Sequence, residues 1–294
     1  MMKSLDSTRM GGIILALALG LALSACSAVK LGYSNLPGLA YWWLDGYADF
    51  SEEQAPVVRE HIAQLHAWHR QKELPKIVDL LARMEQLAPG EVNPQQACSI
   101  VAEVQGRMRA VAVEGEPRIA AISTSMTPRE LRHMQRKFRR NNERSQKEWL
   151  DLSPAERNEK RFDQMLERLE TIYGRLDEPQ RAVLRQRIQL SAFDAARSHA
   201  EWQRRQEELL KMLRRVAQHG TSDAEARGLL RAWYDGIEKA ADPGYRAYQQ
   251  VLLQEGCMTF SLVHHSTTPA QREQAAKRLR AYQRDLRDLV LAQP

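Results

Sequence analysis

Apolar residues recur along most of this chain at steps of three and four, the spacing that lays one apolar stripe along an α-helix. Val58, Ile62 and Leu65 open the pattern. Leu184, Ile188, Ala195, Trp202, Leu209, Leu213 and Val216 keep one stripe for about 40 residues, roughly 60 Å of helix. No alternating run of β-branched residues competes with it. Helix starts are marked repeatedly by a side-chain oxygen with Glu or Gln three positions on. Ser51, Thr127, Ser153, Asp177, Ser222 and Thr268 all follow this form. Pro128, Pro154 and Pro269 then occupy the first helical position, where a missing N–H costs nothing. Met126 and Leu131 form a candidate hydrophobic staple, and Asn93-Pro94 and Asp242-Pro243 mark two further starts.

These signals predict an all-α chain with helices over 51–73, 76–88, 94–114, 127–150, 153–174, 177–218, 222–240, 243–256 and 268–291. The cap-to-cap distances vary too widely for a solenoid repeat. The expected architecture is an elongated bundle of about nine helices. Its long central helix, 177–218, would pack along 127–150 and 153–174.

Ahead of the helices, Lys3 and Arg9 precede an apolar run from Ile13 to Leu23 that is short for a bilayer span. The run closes on Leu23-Ser24-Ala25-Cys26, which resembles the cleavage box of bacterial lipoproteins. That resemblance implies diacylation of the Cys26 thiol, cleavage after Ala25 and acylation of the new amino terminus. The alternatives are an ordinary signal peptide and an uncleaved anchor. The expected division is a signal peptide over 1–25, a lipid anchor, tether and aromatic segment over 26–50, and a helical domain over 51–294. Ser27 rather than aspartate follows the cysteine. By resemblance to the sorting of such lipoproteins, this implies the outer membrane, with the protein facing the periplasm.

Location changes the reading of charge. The chain carries 43 Lys and Arg against 37 Asp and Glu, a formal charge of +6. Outside the cytoplasm that excess points away from nucleic acid and toward acidic proteins, lipid head groups or cell-wall polymers. It is concentrated from Arg129 to Lys147, where eight basic residues face only Glu130 and Glu143. Arg129, Arg132, Arg136, Arg140 and Arg144 fall on one helix face. Two readings fit: a solvated face that serves solubility, or a docking strip for an anionic partner. Tyr41-Trp42-Trp43-Leu44, close behind the anchor, likewise suits a membrane interface or an aromatic face packed on the main body. Asp45 and Asp49 favour the second, because an anionic surface would repel them.

With Cys26 acylated, Cys98 and Cys257 remain, and two thiols in an oxidising compartment favour a disulfide. The alternative is two separately buried thiols. The one compact group with candidate chemistry is His66, His69 and Glu73, at i, i+3 and i+7 on one helix. Two imidazoles and a carboxylate suit a divalent metal. His69, however, falls on the stripe of Val58, Ile62 and Leu65, where a histidine usually serves as a hydrogen-bonded core residue. His264-His265 are expected in a loop ahead of the last helix. No nucleophile elbow, zinc-protease box, phosphate-binding loop or dinucleotide-binding glycine turn occurs. No cofactor is expected.

The stretch Cys26 to Leu74 includes Tyr33-Ser34-Asn35-Leu36, Trp42-Trp43-Leu44-Asp45, Gln54 and Trp68-His69-Arg70. It resembles a family of proteobacterial lipoproteins of unknown function, a resemblance that brings no activity with it. The caps Leu152-Ser153-Pro154-Ala155-Glu156 and Phe50-Ser51-Glu52-Glu53-Gln54 are similar to the Leu-Thr-x-x-Gln motif of Spy-type periplasmic chaperones, ATP-independent helical cradles for unfolded clients. The expectation is a non-catalytic, lipid-anchored interaction protein of the periplasm that binds a protein or an envelope component. An ATP-independent chaperone and a metal-dependent envelope hydrolase are the alternatives.

Overall fold

The computed structural model describes residues 29–218 and 220–292, and these form helices with no strand among them. Residues 1–28, with Cys26 and the cleavage box, lie outside the described residues. A short helical stretch, α1 (29–34), leads into α2 (Leu36–Ala48). α3 (Gln54–Trp68) and α4 (Leu74–Leu87) follow. The long α5 (Pro94–Thr124) is next, then α6 (Pro128–Ser145) and α7 (Pro154–Tyr173). α8 (Glu178–Gln189), α9 (Ala195–Val216), α10 (Asp223–Glu238), α11 (Pro243–Ser266) and α12 (Pro269–Leu291) complete the chain.

The caps do what their side chains dictate. Asn93, Thr127, Ser153, Asp177 and Thr268 each exchange both bonds of a capping box with the residue three positions on. Ser51 and Gln54 do the same. Met126 and Leu131 share one core cluster, as a staple requires.

Prolines shape the elements differently from expectation. The helices expected over 51–73 and 76–88 are joined by a π-turn, His69–Glu73. Pro75 has no N–H to donate, and the wider turn lets Leu74 bond back to His69 instead. A second π-turn, Gln146–Leu150, ends α6, where Asp151 bonds back to Gln146 at 3.0 Å. α5 runs ten residues past its expected end at 114, through Pro117. Glu116, buried beside that proline, is gripped by Arg227 at 3.0 Å and Arg231 at 2.7 Å from α10, which hold the helix across the lost hydrogen bond.

The expected continuous helix over 177–218 is two helices. Between α8 and α9 the chain leaves the helix at Leu190 and restarts at the N-cap Asp194, which accepts from Arg197 N–H. The break is held from α11. Glu255 accepts from the Ser191 hydroxyl at 2.8 Å and the Ala192 N–H at 2.9 Å, and the Tyr248 hydroxyl accepts from the Asp194 N–H at 2.8 Å. The expected neighbours are each present for one half: α8 packs on α7 and α9 on α6. α11 runs ten residues past its expected end at 256, so His264 and His265 belong to its last turn rather than to a loop.

Apolar burial falls into two main cores. One is built from α4, α7, α8, α11 and α12 around Phe162, Leu176, Leu184, Ile188, Val263 and Leu279. The other is built from α2, α5, α6, α9 and α10 around Ala48, Ala120, Leu131, Leu213, Val216 and Leu230. Between them, Cys98 of α5 and Cys257 of α11 are joined by a disulfide, with Val92 and Ala97 against it. No described helix is long and apolar enough to cross a membrane.

Candidate functional site

The second core is not filled. α2, α5, α6, α9 and α10 enclose a cavity of about 500 Å³, lined by Leu44, Phe50, Met134, Phe138, Leu209 and Leu213 among others. Its place follows from the sequence of each wall. α2 offers Leu44, Tyr47 and Ala48 on the side opposite Trp42. α6 contributes Met134 and Phe138, four residues apart and opposite its arginines. α9 contributes Leu209 and Leu213 at the same spacing. α5 contributes Ala112, Val113 and Ile119, the last two exposed at the mouth beside Trp202.

Charged groups stand at the rim, and they are mutually neutralised. Arg109 pairs with Asp235 at 2.9 Å and with Glu238, Arg231 with Glu116 at 2.7 Å, and Arg205 with Glu201 at 2.8 Å. Hydrogen bonds from Arg231 and Arg227 hold the Glu116 carboxyl below its ordinary range, and those from Arg204 and Arg205 do the same for Glu201. The ion pairs are satisfied among themselves and leave the chamber apolar, and a chamber of this size suits an acyl chain or ring system whose polar end stays at the mouth. A wider depression of about 920 Å³ between α9 and α10 is of mixed character, lined by Arg204, Glu208, Lys211 and Arg215 as well as Met212, Leu229 and Trp233.

The candidate metal group of His66, His69 and Glu73 does not assemble. Tyr33 from α1 takes both imidazoles: its carbonyl accepts from His66 Nε2 at 3.1 Å, and its hydroxyl lies 2.9 Å from His69 Nδ1. Burial pushes the Tyr33 hydroxyl up to about 12 and lowers both histidines below their ordinary value. Glu73 points elsewhere, buried in the π-turn and paired with Lys76 at 2.7 Å and Arg107 at 3.5 Å. Among the described residues no group of three or more His, Cys, Asp or Glu side chains could hold a metal ion. His69 is half-buried and hydrogen-bonded to Tyr33.

The basic strip is divided by the fold. Arg129 bonds Asp49 at 2.8 Å and Glu130 at 3.0 Å, so it closes the α2–α6 junction. Arg132, Arg136, Arg139, Arg140 and Arg144 are exposed on the face of α6 turned away from the core, with no salt bridge among the described residues. Sequence reasoning missed the cavity altogether. The signal for it was the crowding of apolar residues on α2, α5 and α6, which says nothing about how well they interlock.

A family model described as Family of unknown function (DUF6279) matches residues 46–231, well over half of the chain. The chain belongs to this family. The DUF6279 match begins at Gly46 in α2 and ends at Arg231 in α10. It therefore takes in the contributions of α5, α6 and α9 to the cavity, and leaves α11, α12 and Cys257 outside. No curated protein and no solved structure matches the chain, so the motif-level likeness to Spy-type chaperones finds no support there.

Proposed function

We propose that this protein is a non-catalytic, lipid-anchored component of the bacterial outer membrane, facing the periplasm, that binds an apolar envelope component. The cavity of the second core carries this reading. It is apolar within and charge-neutral at its rim, and exposed Val113, Ile119 and Trp202 at the mouth give an apolar chain a path in. The His66, His69 and Tyr33 arrangement, satisfied within itself, gives the hydrolase reading no support.

The test is titration of the purified protein with a fluorescent palmitate analogue. Saturable binding at one probe per chain is expected. Ala112→Phe, which fills the cavity from α5, should abolish saturation while leaving the circular dichroism of the wild type. Equal binding by this variant would overturn the proposal. The chaperone alternative draws on Val101, Val104 and Met108, exposed along α5 away from the cavity. Suppression of client aggregation lost in Val104→Ser/Met108→Ser, with palmitate binding unchanged, would favour it.

A further inference from the structure

α2 carries a second apolar face that nothing in the described structure covers. Leu36, Leu39, Trp42 and Trp43, at i, i+3, i+6 and i+7, share one side of the helix. Their exposures are 43, 54, 75 and 56 %. Two adjacent, solvent-facing tryptophans are an unusual use of large apolar surface in a soluble face. Gly38 and Gly46 are the neighbours on that side, and no charge interrupts it.

The two carboxylates that would be repelled by an anionic surface each have a partner, although Asp49 itself stays exposed. Asp45 accepts from the Phe50 N–H at 3.0 Å, capping its own helix end. Asp49 is paired with Arg129 at 2.8 Å. Tyr41, the remaining ring of the cluster, faces the body under the Arg59 guanidinium, 3.5 Å from its centroid.

Beside this face runs the cationic ridge of α6. Trp42 and Trp43 border a depression of about 380 Å³ together with Tyr47, Lys137 and Arg144. Arg140 and Arg136 continue the ridge about one and two turns before Arg144, exposed and without a salt bridge among the described residues. Arginines elsewhere, such as Arg109, Arg181, Arg204 and Arg231, are spent on carboxylates. Glu148, which also lines the depression, is held by Lys160 at 3.6 Å, leaving Glu143 as the exposed carboxylate within the ridge.

We propose that the Leu36–Trp43 face of α2 and the Arg136, Arg140 and Arg144 ridge of α6 form one surface that docks on an anionic phospholipid bilayer. Charge complementarity chooses this occupant. The indole rings suit the boundary between acyl chains and head groups, and the guanidinium groups beside them suit the phosphates. Trp43 borders the cavity as well, so the variants that test this surface leave it in place, and their readout does not depend on the cavity's ligand.

Acyl chains on Cys26 would hold every variant at a vesicle, so the readout is ring contact rather than retention. The protein, purified as the cell processes it, is mixed with vesicles of phosphatidylglycerol and phosphatidylcholine that carry a lipid brominated near the head group, and tryptophan emission is followed. Strong quenching is expected at low salt, with loss of most of it in Leu39→Ser/Trp42→Ser. Arg136→Gln/Arg140→Gln/Arg144→Gln should lose most of its quenching at physiological salt. Neither variant alters a residue that lines the cavity, so palmitate binding should persist in both. Quenching equal to wild type in both variants, or equal quenching in pure phosphatidylcholine, would overturn the proposal. So would a wild type that self-associates through this face, read as a dimer mass that Leu39→Ser/Trp42→Ser halves.

Discussion

The Tyr173 hydroxyl lies 2.8 Å from Nδ1 of His264, in the interior where α7 meets the last turn of α11. The opposite nitrogen, Nε2, is 2.8 Å from the Gly90 carbonyl, which can only accept. Nε2 therefore carries a proton, and in the neutral imidazole the Tyr173 hydroxyl donates to Nδ1. Burial lowers the His264 pKa below its ordinary value, and burial likewise raises that of Tyr173. One side chain thus ties the 88–92 turn to two helices of the first core.

Acid should loosen this tie. A histidine whose native pKa is depressed stabilises the fold fully above its unfolded pKa, about 6.5, and loses that contribution as pH falls toward the native value. His66 and His69 are depressed in the same direction. Urea midpoints should therefore fall from pH 7 to pH 5. His264→Leu should cost about 2 kcal/mol at pH 7 by orphaning the buried Tyr173 hydroxyl and leaving the Gly90 carbonyl to Arg272 alone, and its midpoint should fall less steeply with pH. An identical pH slope in wild type and variant would contradict this account.

The Cys98–Cys257 bridge spans a sequence separation of 159 residues. On the chain-entropy model such a loop restrains the unfolded chain by up to about 5 kcal/mol. Cys98→Ser/Cys257→Ser should show a urea midpoint well below wild type. Alkylation of the unreduced, denatured protein should leave both residues unmodified. Full labelling of both without reductant would refute the pairing.

At the α8–α9 break, Tyr248→Phe removes the acceptor for the Asp194 N–H and should cost about 1 kcal/mol. The loss should appear locally, as faster amide hydrogen exchange at Ala192 to Asp194 while α12 keeps its protection. Uniform acceleration throughout the chain would show that the break is not held in this way.

Leu184 is fully buried, with 0 % exposure, in the first core. Leu184→Ala should cost roughly 2 to 5 kcal/mol, depending on how far α7 and α12 relax into the space. Calorimetry measures it directly. A loss under about 1 kcal/mol would mean that this core is as loosely packed as the walls of the cavity.

The proposed lipid anchor is a separate matter of processing. Cys26→Ala should abolish acylation and leave the precursor uncut at this site, which intact-mass analysis reads. A wild-type mature form without acyl chains would refute the lipoprotein reading.

Periodicity and caps alone determined that this chain is helical and where most helices begin, because both act within one or two turns. Asn93, Thr127, Ser153, Asp177 and Thr268 find their partners three residues away, so no tertiary contact is needed to read them. Helix ends and interruptions were decided elsewhere in the molecule. The apolar stripe from Leu184 to Val216 continues across a break that Glu255 and Tyr248 hold from more than fifty residues away. Pro117 would end a helix by itself, but Arg227 and Arg231 sustain α5 through Glu116. The stripe position of His69 was legible, but not its partner Tyr33, nor the pairing of Asp45 with the Phe50 N–H and of Asp49 with Arg129. The cavity lay beyond sequence reasoning for a plainer reason. A periodic pattern states which face of a helix is apolar, whereas empty space depends on how five such faces interlock, a property that no single segment carries.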